Sequence, residues 1–421
     1  MLFSADALGG PWKGRARLLG SSGGGAIAYV AADSTSAFTT DPVPIRRRVA
    51  GSWSALETFP DPVQHLGKIA TSMTAAGDAT FVWSSLDAAL VNSANLHART
   101  LTLAGRWSDR ATLGDTSVEW WQDPTAPVVG VASNEALSIA AWTRIDPSGA
   151  NLTNGLWSTA RRTPDDWGAA QVAIPAAAGS LLLAANPDGT ARAVWTSPLV
   201  GDSQTLATGR WDGSAWSPPQ LLDQATSGGR IDVSPSPGSS VAISPSGETV
   251  VVYAQLAPTA TTLRWARSAD DVTWVTETIA DLPAGSSWSS TTNAAGQVFV
   301  TWGSPPDQAL HASLYSPGVG WSPIDPPAGV QNDESAIALA DDGRVAIADS
   351  PLTTVPPDCT PRTSVRVHRL VPGSGWAAPE VVDDAPVISS LLALGYAGPD
   401  LLVLWQRGTA GATYAASLRE P

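Results

Sequence analysis

Short apolar runs recur along the chain, each entered from a small-residue turn and ended by an aromatic ring. A turn residue, usually Gly, precedes that ring by six positions: Gly77 with Trp83, Gly189 with Trp195, Gly247 with Tyr253 and Gly296 with Trp302. Ala136 with Trp142 and Pro399 with Trp405 keep the spacing without the Gly, Gly23 with Tyr29 supplies a first copy, and Gly343 leads instead to Asp349. A second landmark follows each run, a Trp-led segment that often carries Pro: Trp12, Trp53, Trp107, Trp167, Trp216, Trp274, Trp321 and Trp376. Between the two lies a further apolar stretch, such as Leu206 to Trp211. Apolar positions alternate in short runs with no helical period, so each unit reads as four strands, a to d.

A repeat of this length made of small turn-punctuated sheets predicts a β-propeller. The count predicts eight blades, with seven as the alternative, in a single domain over residues 1–421. The chain opens near Trp12 to Leu19, read as a strand d, and ends after strands a to c of a last blade. Pairing of the N- and C-terminal strands would then complete that blade and remove two exposed edges. The eight Trp of strand d are expected to wedge between blades, because a four-stranded sheet buries both faces against its neighbours.

The unit, with its Trp-Ser-x-Pro-x-Leu strand and its strand ending in Val-Trp, resembles the tandem-repeat propellers of bacteria related to sialidase-like (BNR or Asp-box) proteins. An Asp-box reads Ser-x-Asp-x-Gly-x-Thr-Trp; Ser268-Ala269-Asp270-Asp271-Val272-Thr273-Trp274 is one residue short and lacks the Gly. That resemblance implies an Arg triad, a Tyr/Glu nucleophile pair and an acid Asp. None of the five tyrosines stands in such a setting. No catalytic residues are assigned.

A formal charge of −14, from 24 basic and 38 acidic side chains, argues against nucleic acid or an anionic membrane as partner. Cys359 is the only cysteine, which leaves no internal disulfide and no CxxC metal site. His97, His311 and His368 are read as one register on three strands c, too far apart on separate blades to share a metal. His65 is a loop residue. No phosphate-cradling or calcium-loop signature occurs, so no cofactor and no metal are expected. Met1 to Gly20 shows no basic-then-apolar leader, which reads as cytoplasmic if Met1 is native and secreted if a leader was removed.

In a four-stranded blade the b-to-c and d-to-a connections share one end, and here they are the long ones: 33–44, 84–94, 114–130, 223–240 and 349–362. Variable loops on a rigid repeat are where binding is expected. Glu119, Trp120, Trp121 and Asp123 give one of these loops two rings outside the repeat, and Trp288 is a further such ring. These five are the candidate ligand contacts, with packing as the competing role of the Trp pair. The expected function is a monomeric, non-catalytic scaffold for a protein or peptide, with a secreted lectin or sialidase-like glycoside hydrolase as the alternative and a glycan as its ligand.

Overall fold

The computed structural model describes residues 5–9, 15–31, 43–61, 69–86, 94–115, 129–134, 137–144, 155–163, 166–174, 179–186, 188–197, 203–225, 229–233, 238–303, 309–330, 335–355, 360–371, 374–384, 389–407 and 413–419. The fold is all-β, an eight-bladed β-propeller whose blades are antiparallel sheets. Blade 1 consists of Arg15–Gly20, Ala26–Ala31, Pro44–Val49 and a broken outer strand, Ser52–Trp53 with Glu57–Thr58. Blade 2 consists of Ala70–Met73, Ala79–Leu86, Ala94–Leu101 and Ala111–Asp115. Blade 3 has Val129–Ser133, Ser138–Arg144, Gly155–Thr163 and the outer pieces Asp166–Trp167 and Gln171–Ile174. Blade 4 has Leu181–Ala185, Ala191–Thr196, Gln204–Trp211 and Gln220–Ala225.

Blade 5 starts with two short segments, Arg230–Asp232 and Ser240–Ile243, that both pair with Thr249–Leu256, followed by Ala260–Ser268 and Val275–Pro283. Blade 6 is Ser287–Thr292, Val298–Gly303, His311–Ser316 and Gly320–Ile324. Blade 7 is Ser335–Leu339, Val345–Asp349, Val365–Val371 and the outer pieces Gly375–Trp376 and Glu380–Asp383. A separate hairpin, Leu352–Val355 with Thr360–Thr363, stands in its b-to-c connection. Blade 8 is Ser389–Ala397, Asp400–Arg407 and Thr413–Arg419, completed by Ala5–Gly9. The residues form two compact units, one holding blades 2 to 5 and the other blades 6, 7, 8 and 1.

Terminal pairing therefore occurs, but through a different strand from the one expected. Ala7 stands opposite Tyr414, whereas Arg15–Gly20 is the first strand of blade 1. The landmark Trp12 lies outside the described residues. Blade 1 differs in register as well. Its left-handed turn residue is Gly24, at φ 87°, not Gly23. Six positions on from Gly24 comes Val30, so Tyr29 sits on the other face of its strand, because side chains alternate.

Turn chemistry explains the Gly signal. Gly77, Gly189, Gly247, Gly296 and Gly343 all have φ between 78° and 97°, a region costly for any residue with a Cβ. The shortened Asp-box does the same work with other means. Asp270 accepts from the amides of Thr273 at 2.7 Å and Val272 at 2.9 Å, and these bonds hold its carboxyl down at about 2. Asp271 takes the left-handed conformation, φ 61°, that Gly would take.

Blades are joined by the outer Trp and by buried ions. Trp216 donates its indole N–H to Ser158 at 2.8 Å, Trp274 to Gln220 at 3.1 Å and Trp376 to the Asp325 carbonyl at 2.5 Å, each on the preceding blade. Arg192, 2% exposed on blade 4, pairs with Asp271 of blade 5 and lies 5.2 Å from the Trp274 ring. Arg48 of blade 1 reaches Asp400 at 2.7 Å and Ser417 at 2.9 Å on blade 8. Outer edges are interrupted by Pro219, Pro323 and Pro379, which cannot donate to an added strand.

Candidate ligand-binding site

The residue that ends each apolar run begins a row that crosses its blade at the strand ends leading into the long connections. Directly opposed residues on antiparallel strands point to the same face and touch. The rows are Trp83–His97–Thr112 in blade 2, Trp142–Trp157–Val172 in blade 3 and Trp195–Ala207–Leu221 in blade 4. They continue as Tyr253–Arg264–Thr278 in blade 5, Trp302–His311 in blade 6, where Trp288 of strand a also faces Trp302, Asp349–Arg366–Val381 in blade 7 and Trp405–Tyr414 in blade 8.

This placement corrects the histidine register. His97 and His311 are equivalent, but the blade 7 member of the row is Arg366, and His368 lies two residues on, opposite Ile347. The physical reason is the Asp at 349. Its carboxylate is 1% exposed and is held by both Nε and Nη2 of Arg366, with His368 Nε2 at 3.3 Å. Burial opposes ionisation of Asp349, yet the hydrogen bonds from His368 and Arg366 prevail and lower its pKa.

Two carboxylates from outer strands bind side chains of the next blade. Asp223 of blade 4 accepts from the Tyr253 hydroxyl at 2.5 Å and from Gln255 at 2.8 Å, and pairs with Arg264 at 3.0 Å. Burial, then this bond, pushes the Tyr253 phenol up. Asp383 of blade 7 binds Arg407 of blade 8 at 2.5 Å and Ser389 at 2.9 Å. Gln255 and Arg407 both stand two residues after the ring of their strand. At the matching site of blade 2 the residue is Gly114, where an added Cβ would come within 3.0 Å of the Trp142 ring. These acids are engaged in holding blades together.

Packing differs along the series. Trp83, Trp142, Trp195, Tyr253, Asp349 and Trp405 are each 3% exposed or less. Trp302 is half-buried and its neighbour His311 is exposed. Their rings stack at 5.7 Å with planes 15° apart. His97 stacks less regularly on Trp83, with a 41° tilt, and is buried; burial first, then the Arg110 charge, lowers its pKa to about 4.

Among the five sequence candidates, Trp288 lies on strand a of blade 6, 8% exposed, facing Trp302. Glu119, Trp120, Trp121 and Asp123 lie outside the described residues. The structure adds Trp302 and His311 beside Trp288. Spacing alone could not have singled them out, because Trp302 follows Gly296 as regularly as buried Trp195 follows Gly189. Among the described residues no group of three or more His, Cys, Asp or Glu is placed to hold a metal ion.

No family model matches the sequence, and no curated protein matches it. Solved structures do. One comes from a study of two prolyl endopeptidases: TM-score 0.52, 11% identity, 94% of this chain and 55% of that one. A puromycin hydrolase gives a TM-score of 0.50 at 15% identity, with 94% of this chain and 59% of that one covered. A Hadza microbial sialidase gives 0.37 at 14% identity, with 91% and 74% covered. The chain thus spans little more than half the length of the first two of these structures. At these identities the likeness is one of fold.

Proposed function

We propose that the chain is a non-catalytic binding scaffold that takes a protein or peptide ligand at the long-loop ends of its blades. The observation that carries this reading is the open row of blade 6. Exposed His311 stacks on Trp302, which stays half-buried at a position where six other blades bury their residue. Exposed aromatic area fixed by strand pairing is the usual material of a binding hot spot, because little side-chain entropy remains to be lost. Trp288 backs Trp302 on the adjacent strand. The acids of these blades support the reading from another side: half-buried Asp223 and buried Asp349 and Asp383 spend their hydrogen bonds on blade contacts.

The test is a selection of a displayed peptide library on the full chain and on the Trp302→Ala/His311→Ala variant. Peptides enriched on the parent and lost on a variant of unchanged unfolding temperature support the scaffold. Equal enrichment on both would overturn the assignment of the row. A parallel glycan array decides the alternative: glycan binding lost in the same variant would make the protein a lectin.

A further inference from the structure

We infer that the outer strand of blade 5, Val275–Pro283, is a second interaction surface, one that accepts a basic extended peptide as a fifth strand. This surface is separate from the row of blade 6 and does not depend on it. The strand is nine residues long, whereas the outer strands or strand pieces of the other blades run from two to six. Pro interrupts the outer edges of blades 4, 6 and 7, but in this strand Pro283 is only the last residue. It pairs on one side with Ala260–Ser268, and among the described residues no strand pairs with its other side.

An edge of that length offers a row of backbone donors and acceptors, the requirement for strand addition. The composition suits it, with Val275, Thr276, Thr278 and Ile279 in one run. A bulge between Leu263 and Arg264 leaves Ile279 as the extra residue and divides the edge into two regular segments.

Charge selects the occupant. The charged side chains of the strand are Glu277 and Asp281, both exposed. They stand opposite Trp265 and Thr262, three residues apart, so they lie on opposite faces of the sheet. An added strand meets an acid on either face. A second copy of this chain, bringing its own Glu277 and Asp281 at a formal charge of −14, would be repelled. A peptide with lysine or arginine at alternate positions gains an ion pair on whichever face it presents.

The experiment uses the full chain and an acetylated nine-residue peptide, matched to the strand, that alternates lysine with valine and threonine. Fluorescence anisotropy should show binding that weakens with salt and falls at least about tenfold when glutamate replaces lysine in the peptide. Methylating alternate backbone amides of the peptide should abolish it, and Glu277→Lys should reverse the preference between the two peptides. Three results would overturn the inference: equal binding of both peptides, undiminished binding of the methylated one, or a chain dimer in sedimentation that Glu277→Lys dissociates. The methylated peptide keeps the test decisive even if the variant unfolds.

Discussion

Asp349 stands where other blades place Trp or Tyr, and its carboxylate is clasped by the guanidinium of Arg366 on the adjacent strand. A buried ion pair of this kind stabilises little over an apolar pair, yet breaking it is costly. Asp349→Ala should therefore destabilise the protein by about 3 to 5 kcal/mol, since Arg366 and His368 lose their acceptor. Asp349→Leu with Arg366→Leu should recover most of that loss. Urea unfolding of the two variants measures both. A double variant as unstable as the single one would mean that the charges themselves, not their pairing, sustain blade 7.

Acid should weaken the protein through His97. Its folded pKa, about 4, lies below the ordinary 6.5, because burial and then Arg110 disfavour the charged ring. Between those values the unfolded chain takes up a proton that the folded chain refuses. The contribution is fully present above 6.5 and is lost as pH falls toward 4, to a total of about 3 kcal/mol. His97→Phe keeps a ring against Trp83 and should flatten that part of the stability profile. An unchanged slope between pH 6.5 and 4 in the variant would show that other groups set it.

Asp271→Gly sets two effects against each other. Glycine would relieve the φ of 61°, a gain of about 1 kcal/mol. The same change removes the counter-charge of Arg192, which is 2% exposed, and of Arg210 at 3.1 Å. Stranding a buried guanidinium costs about 3 kcal/mol or more, so the variant should be less stable by about 2 kcal/mol. Adding Arg192→Leu should restore stability and expose the backbone gain. Denaturant titration of the three proteins gives the cycle.

Blade architecture was legible in the sequence because it is local. A turn that needs a left-handed residue, then a run of fixed length, repeats with each blade, and Gly77, Gly189 and Gly247 mark it at the same six-residue distance from their rings. Terminal pairing followed from counting strands, since a blade left with three strands exposes an edge. What counting could not supply was parity. One extra small residue in the first turn moves the left-handed position from Gly23 to Gly24 and carries Tyr29 to the opposite face, and Ala5–Gly9 rather than Trp12 to Leu19 meets the C-terminal strand.

The sequence by itself determined the all-β repeat, the blade count and the packing role of the outer Trp, since these depend on patterns within some fifty residues. Only the tertiary structure decided the rows, because their members come from different strands. It also decided that Arg366, not His368, is the partner of the strand-end residue in blade 7. Contacts such as Arg48 with Ser417 join residues 369 apart, and no local pattern encodes which face of a neighbouring blade they meet. Exposure is the extreme case. Trp302 and Trp405 have the same place in their repeats, and one is half-buried while the other is 0% exposed, because burial is set by what packs against a ring and not by the strand that carries it.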